Sequence, residues 1–277
     1  MPKLVGVPDL EDKCSKDAEE LISRLISCLG EPGSITFINV SLLIALFKKI
    51  FDLLVTIVLF AIGIPVALVS PHFGHKILRL WAKLMLWIYG VQVEIVDENQ
   101  GNYSESQILF LTLNQTSLSE GFIGTFAIPT PYRLIMSLQM ALYPIIGWFY
   151  WSMRGVVLIQ PWKSQTKSAL NKAAHTLKNS ANFWMSIEGR RSKDGKLNPY
   201  KKGAAVLAIQ AEAKIVPVLY SGVKEILPYG EWRIKSGRVK VILGKAISTE
   251  GLSFNSREQL VADLRNLAET KLPLLVE

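Results

Sequence analysis

The stretch LFLTLNQTSLSEG, residues 109–121, begins as an apolar strand and breaks into a polar turn ahead of a helix-like segment. A strand that ends at Leu113 and turns through Asn114–Ser119 into a helix puts those residues at a carboxyl edge of a sheet, where α/β proteins build their sites. Two accounts of the turn stand side by side. Ser117 precedes Glu120 by three residues, the spacing of a helix capping box in which each side chain satisfies a backbone amide of the other. The same turn also gathers Asn114, Gln115 and Glu120, three side chains with no strong base among them.

Working outward, the chain from Val91 onward alternates short strands and helices. Strands are expected over 91–96, 108–113, 156–159, 183–187, 215–219 and 239–243, and helices over 168–178, 203–213 and 256–269. The last helix opens with Ser256 three residues before Gln259, again the capping-box spacing. Strands separated by helices predict an α/β domain, a mixed sheet with helices on it. The strand KIVPVLYSG carries Pro217 in its middle, which restricts it to an edge or irregular position, because proline has no N–H for the ladder.

Upstream the chain is apolar. Residues 51–70, FDLLVTIVLFAIGIPVALVS, hold Asp52 as their only charge. At about 1.5 Å per residue they match a hydrocarbon core of about 30 Å. They read as a span or re-entrant hairpin, with a buried core helix as the alternative, and Gly63 and Pro65 predict a kink. Residues 35–47 are apolar but too short to span and end at Lys48 and Lys49. Residues 80–90, LWAKLMLWIYG, read as an interfacial helix or as one packed on the domain. A third stretch, 136–153, MSLQMALYPIIGWFYWSM, is broken by Pro144. It is expected to dip into lipid or to line an acyl pocket, the alternative being a buried helix pair. The implied organisation is an N-terminal amphipathic region over 1–34, membrane-associated helices over 35–90, and the α/β domain over 91–277.

Composition agrees with a membrane location. Hydrophobic residues make up 49%, mean hydropathy is +0.27, formal net charge is +8 and the isoelectric point is about 9.4. Arginine-rich helices, zinc-ligand spacings and aromatic RNA-binding strands are all missing from the sequence, so anionic lipid and phosphorylated substrates are better partners than nucleic acid. The first twenty residues lack the basic start and apolar run of a signal peptide. Cys14 and Cys28 bracket a predicted amphipathic helix over 15–29, which would hold them about 20 Å apart, too far for a disulfide. They read as free thiols of a reducing compartment.

After the strand over 183–187 comes SIEGRRSKDGKLNPYKKGAAVLA. Glu188 and Gly189 turn the chain, and Arg190, Arg191, Lys193, Lys201 and Lys202 crowd behind them. Adjacent guanidinium groups at a glycine turn suit a phosphate, which they bind by paired hydrogen bonds; a solvated basic loop is the alternative.

In this order the pieces resemble the phospholipid and glycerol acyltransferase family, the PlsC-like enzymes that acylate 1-acylglycerol 3-phosphate and related acceptors. The resemblance runs over residues 80–248. The family's N-H-x-x-x-x-D block corresponds to Asn114-Gln115-Thr-Ser-Leu-Ser-Glu120, and its glycine-strand block to GVVLIQP at 155–161. F-P-E-G-T-R-S corresponds to Ser186-Ile187-Glu188-Gly189-Arg190-Arg191-Ser192, continued by KDGKL and PYKKGA, and the V-P-V strand to residues 215–218. YPIIGW at 143–148 resembles the segment before the second block, so Tyr143, Pro144, Gly147 and Trp148 would form an acyl pocket.

The resemblance implies a fatty acyl transfer from acyl-CoA or acyl-carrier protein, a co-substrate rather than a bound cofactor, to a lysophospholipid. No metal site and no nucleotide loop of the P-loop type is visible in the sequence. In the family the histidine takes the acceptor's proton and the acid five residues on orients it. Gln115 takes no proton near pH 7, and general-base catalysis contributes about 10²–10⁴-fold. The second block also lacks its arginine, for which Lys163 is a nearby substitute. The anion site is thus retained while the proton-transfer site is altered. His72, His75 and His175 lie outside all four blocks, His175 in a helix as a structural or exposed residue.

Three readings follow. One is an active enzyme in which Gln115 and Glu120 face the acceptor hydroxyl, Asn114 shapes the turn, and Glu188 and Gly189 shape the second loop. There Arg190, Arg191 and Ser192, helped by Lys201 and Lys202, would hold the phosphate. The second is a catalytically impaired relative that binds acyl-CoA or anionic lipid. The third, a basic membrane-surface protein, does not need these residues in this order. The expected location is an integral or tightly bound membrane protein with its α/β domain facing the cytoplasm.

Overall fold

The computed structural model describes residues 40–103, 107–159 and 163–275. The expectations for 1–34, Cys14, Cys28, the first five residues of 35–47, the tail of the second block at 160–161 and the side chain of Lys163 lie outside what is described. The chain divides into Met1–Ile44 and Ala45–Glu277. The account below concerns the second unit, entered along the opening helix.

Helix α1 (Val40–Val69) runs on through Pro65, and α2 (Pro71–Tyr89) follows after Ser70, with proline in its first turn and Gly90 as a left-handed cap. Proline fits there because the first helical N–H groups have no partner within the helix. The two helices pack antiparallel. Tyr89 Oη donates to Asp52 Oδ2 at 2.8 Å and Trp81 Nε1 to Thr56 Oγ1 at 2.9 Å. A Cβ on Gly74 would lie 2.6 Å from that of Ala67, so only glycine allows this approach. Asp52, Thr56, Phe60, Gly63 and Ala67 form the buried stripe of α1, at the three- and four-residue spacing of one helix face. Phe60 stacks on Phe149 at 4.3 Å. The remaining surface of α1 is largely apolar and exposed: 22% of its most apolar window is buried, so it is no core helix. It is the one described helix long and apolar enough to cross a membrane.

The domain then runs β1 (Val91–Asp97), β2 (Ile108–Thr112), α3 (Glu120–Ala127), β3 (Tyr132–Ser137), α4 (Leu138–Ala141), α5 (Ile146–Ser152), β4 (Val156–Leu158), α6 (Lys163–Asn179), β5 (Asn182–Ser186), α7 (Gly203–Ala211), β6 (Lys214–Ser221), α8 (Val223–Ile226), β7 (Gly237–Leu243), β8 (Ile247–Ser248) and α9 (Arg257–Lys271). Among the described residues these strands form one mixed sheet in the order β1-β7-β6-β2-β5-β3-β4, with β8 also on β6. The β6–β7 and β6–β8 pairs are antiparallel and all others parallel.

The sheet is buried on both faces, which is why its central strands read as continuous apolar runs. Leu109, Leu111 and Leu113 point to a core shared with α6, α7 and α9. Ile108 and Phe110 point to the opposite core, shared with α2, α3 and α5. The helix over 80–90 is therefore the end of α2. It buries Trp81, Met85 and Tyr89 in that core and exposes Leu80, Lys83 and Trp87.

Three local expectations are corrected. Strand β3 was not expected. Its sequence YRLIMS carries Arg133 and follows Pro129 and Pro131, so its strand character is weak until β5 and β4 pair on either side. Pro217 sits in a central strand, β6, so of the two positions expected it takes the irregular one and not the edge. It is tolerated because β8 pairing ends at Ile215 and β7 pairing begins at Val218, and in that break its carbonyl accepts from Gly244 N–H at 2.8 Å. Ser256 makes no side-chain cap, because a 3₁₀ turn over Phe254–Ser256 leads into α9.

Candidate active site

The carboxyl ends of β2, β5 and β6 lie side by side, since these strands are parallel neighbours. Three loops leave them: the turn 113–119, the basic loop 187–202, and the segment after Gly222.

The turn starts with a clamp. Asn114 is buried, and its carboxamide takes both backbone groups of Tyr220, Nδ2 donating to the carbonyl at 2.7 Å and Oδ1 accepting the N–H at 3.0 Å. It extends the β2–β6 ladder by one step after the strand has ended. Gln115 comes next, and its backbone is tied to the basic loop. Its carbonyl accepts from Ser192 N–H at 2.7 Å, and its N–H faces the Glu188 carboxylate and opposes the rise of that carboxyl. The half-buried Gln115 carboxamide makes no hydrogen bond among the described residues, so it is available to a ligand.

Glu120, expected to face a reacting hydroxyl, is 4% exposed. Its Oε1 accepts from Thr116 N–H at 2.7 Å, Ser117 N–H at 2.8 Å and Thr116 Oγ1 at 3.3 Å. This is half of the capping box. The glutamate reaches back as expected, but Ser117 Oγ donates to Leu227 O at 2.8 Å instead of capping α3. Burial pushes the Glu120 carboxyl up to about 8 against the pull of those donors, and the charge of nearby Glu188 adds to the rise.

In the basic loop, Glu188 is buried and accepts from Asn198 N–H at 3.1 Å and Asn198 Nδ2 at 2.9 Å. Its carboxyl too is raised, by burial first, with these donors opposing. Gly189 has φ +66, and the Lys201 amine would lie 2.8 Å from a Cβ there, so a glycine both makes the turn and lets the cation cross it. Lys201 is pushed down by burial and by Arg190. Ser192 is buried and folds the loop back, donating to Asp194 Oδ1 at 3.0 Å. Arg191 lies over the Tyr229 ring at 4.8 Å, with Lys193 at 5.6 Å.

The structure therefore brings Asn114, Gln115, Glu120, Glu188, Gly189, Arg190, Arg191, Ser192 and Lys201 to one edge of the sheet. Lys202 turns away and pairs with Glu258 of α9 at 2.7 Å. Tyr143 and Trp148 are 58% and 54% exposed, and only Gly147 of that group is buried, against the Met140 and Ala141 carbonyls. Tyr143, Pro144 and Trp148 form an exposed surface, which is not the buried helix pair. Sequence reasoning missed Asn198, Tyr220 and Tyr229. Only the N-P-Y turn around Asn198 left a local signal. His75, far from these loops, is buried edge-on against Tyr132 with Nε2 unpartnered, and burial pushes it down to about 4. Among the described residues no cluster of metal-ligating side chains occurs.

A family model for acyltransferases matches residues 99–221, the segment that contains the turn, the basic loop and β6. A chloroplastic 1-acyl-sn-glycerol-3-phosphate acyltransferase of Arabidopsis thaliana is 31% identical over 198 residues, 69% of this chain and 54% of the relative. A second, from Brassica napus, is 28% identical over 217 residues, 76% of this chain and 60% of the relative. The alpha form from Homo sapiens is 29% identical over 181 residues. The chain thus spans somewhat over half the length of the plant relatives. The crystal structure of the 1-acyl-sn-glycerophosphate acyltransferase PlsC from Thermotoga maritima superposes with a TM-score of 0.60. The superposition covers 80% of this chain and 97% of that one at 22% identity, a likeness of fold. Residues 99–221 thus belong to the acyltransferase family, in a chain that is similar to 1-acyl-sn-glycerol-3-phosphate acyltransferases.

Proposed function

We propose that the chain transfers a fatty acyl group from a thioester donor, acyl-CoA or acyl-carrier protein, to the free hydroxyl of a 1-acylglycerol 3-phosphate-type lysolipid. The observation that carries this reading is the position of Gln115, whose carbonyl is held by Ser192 N–H of the basic loop and whose N–H faces the Glu188 carboxylate. It fixes a hydroxyl-facing turn beside a loop with two arginines, the two halves that acylation of a phosphorylated alcohol requires. Positioning of that kind lowers the barrier by removing the entropy of encounter.

In the reaction the acceptor oxygen bonds to the thioester carbon, the carbon–sulfur bond breaks, and the hydroxyl proton ends on the departing thiolate. Gln115 orients the hydroxyl through its unbonded carboxamide. Glu120 is the titratable group of the turn, and a carboxyl at about 8 is matched to proton transfer near neutral pH. The donors it meets in the turn converge on Oε1. Oε2 is then the oxygen that takes the proton, through one water or a small opening of the turn. The exposed face of α1 and the surface around Tyr143 and Trp148 hold the site at a bilayer, domain to the cytoplasmic side, and the lysolipid enters sideways.

A second reading is favoured by the burial of Glu120: the site holds the acyl donor or an anionic lipid without turnover. Transfer from labelled acyl-CoA to a panel of lysophospholipids, with Gln115→His, Glu120→Gln and Arg191→Ala beside wild type, decides between them. Turnover that Glu120→Gln removes and Arg191→Ala weakens supports the enzyme. A silent wild type that gains turnover in Gln115→His replaces it with the binding reading.

A further inference from the structure

We propose that Tyr229, which lies outside every motif block, is a positioning residue that aims the Arg191 guanidinium at the acceptor's phosphate. The inference rests on the proposed reading of the basic loop as a phosphate holder and goes one residue beyond it. Tyr229 is 43% exposed on the segment after α8. Its ring receives Arg191 at 4.8 Å and Lys193 at 5.6 Å. That segment is fixed at both ends of its turn. Leu227 O accepts from Ser117 Oγ at 2.8 Å, and Lys235 N–H donates to Ile226 O at 2.8 Å. Lys224 reaches across to Asp194 O at 2.9 Å, which ties it to the basic loop as well. The ring is therefore a platform with a set position relative to the turn and the basic loop.

A guanidinium that stacks on a ring uses its flat face and leaves its N–H edge free for two parallel bonds to a phosphate. Arg191 makes no salt bridge among the described residues, unlike Lys202, so that edge is not already taken by a carboxylate. Two cations lie against one ring and repel each other; an anion that reaches both relieves that repulsion. The ring thus does for Arg191 what a carboxylate partner would do elsewhere, holding its direction without neutralising its charge. A phosphate monoester is the ligand that such an edge fits.

The test is binding of radiolabelled 1-oleoylglycerol 3-phosphate and of 1-oleoylglycerol to the full chain in nonionic detergent micelles, for wild type, Tyr229→Leu and Tyr229→Phe. Thermal unfolding serves as the check that each variant folds. The expected result is a loss of about fivefold in affinity for the phosphorylated lipid in Tyr229→Leu, the equivalent of one contact of ~1 kcal/mol. Affinity for the neutral lipid stays unchanged, and Tyr229→Phe behaves as wild type. If wild type prefers the phosphorylated lipid and Tyr229→Leu keeps that preference, or loses both ligands equally, the role of Tyr229 is overturned and the phosphate reading stands. If wild type shows no preference, the phosphate reading itself falls and this proposal with it.

Discussion

Glu120 and Glu188 close on one turn from two sides: Glu120 takes the N–H groups of Thr116 and Ser117 at 2.7 and 2.8 Å, and Glu188 faces the N–H of Gln115 and adds to the rise of the Glu120 carboxyl. Two buried carboxylates thereby flank the turn, Glu120 from the start of α3 and Glu188 from the basic loop, and the charge of Glu188 raises the energetic cost of ionising Glu120. The arrangement explains how a turn without an imidazole keeps its form. It also makes stability depend on pH.

The sign follows from the direction of the shift. Glu120 lies at about 8 in the folded chain against an ordinary 4.5, so the folded state keeps a proton that the unfolded state releases between those values. Stability is full below about 4.5 and declines across the window, by at most about 1.4 kcal/mol per pH unit for one group. Glu188 is shifted in the same direction. Unfolding midpoints in detergent should fall as pH rises from 5 to 8, and Glu120→Gln, which keeps an oxygen for the two amides, should flatten the fall without abolishing it. Equal slopes for the two proteins would rule out Glu120 as the source.

Activity should report the same group. If Glu120 takes the acceptor's proton, kcat/KM rises with pH to a plateau above an inflection near 8. Gln115→His puts an imidazole on the turn, with an ordinary value near 6.5, and should move the inflection downward and raise the rate by up to about 10²-fold or more. A pH–rate profile for both proteins checks this; an unmoved inflection in Gln115→His would mean that a different group sets it.

What the sequence made legible follows the range of the forces involved. The apolar run of β2, the turn after it and the glycine loop after β5 are local patterns, because burial on both faces and a positive φ each leave a mark on a few adjacent residues. The mixed sheet and the membrane-sized helix were accessible for the same reason. Ser192 holding Gln115, Asn114 clamping Tyr220 across 106 residues and Tyr229 under Arg191 are contacts between distant segments, and no spacing encodes them. Glu120 shows the cost of that blindness. Its position was clear from the motif, while its burial depends on how α3 meets the loop after β6. Tyr143 and Trp148 show the reverse case, a local apolar pattern equally consistent with a pocket and with an exposed surface.

The Asn114 clamp is the most sensitive point of the fold near the site. Asn114→Ala leaves the buried N–H and C=O of Tyr220 without their partners, at a cost of about 2–4 kcal/mol. Asn114→Asp keeps the acceptor but sets a carboxylate oxygen against the Tyr220 carbonyl, and should be no better. Denaturant unfolding of the three proteins measures this; a loss under 1 kcal/mol in Asn114→Ala would show that water replaces the clamp.

Gly124 of α3 faces Tyr220 and Trp184. A Cβ there would stand 2.4 Å from Tyr220 Oη and 2.6 Å from the indole ring, so Gly124→Ala overpacks the core by about 1–3 kcal/mol. Tyr220 Oη is buried without a hydrogen-bond partner among the described residues, which makes Tyr220→Phe nearly neutral. The double variant should therefore be more stable than the sum of the single changes predicts. Strict additivity would mean that the strain falls on Trp184 alone.

Asp52 is the one acid in the apolar stretch of α1, and three donors explain it: Lys49 Nζ at 2.9 Å, Thr56 Oγ1 at 3.2 Å and Tyr89 Oη at 2.8 Å. Thr56 in turn accepts from Trp81, so α1 and α2 are latched by a polar chain within otherwise apolar packing. Asp52→Leu adds apolar surface but strands the Tyr89 hydroxyl, and an unpaired buried group costs about 1–3 kcal/mol. Asp52→Asn keeps an acceptor for Tyr89 and should lose less. Both changes leave the sheet and the site loops untouched, so the loss should show first in the helix pair, as a red shift of Trp81 emission in a chain whose other tryptophans are replaced by phenylalanine. If Asp52→Leu raises stability and leaves that emission in place, packing alone holds α1 to α2, and the latch contributes direction rather than strength.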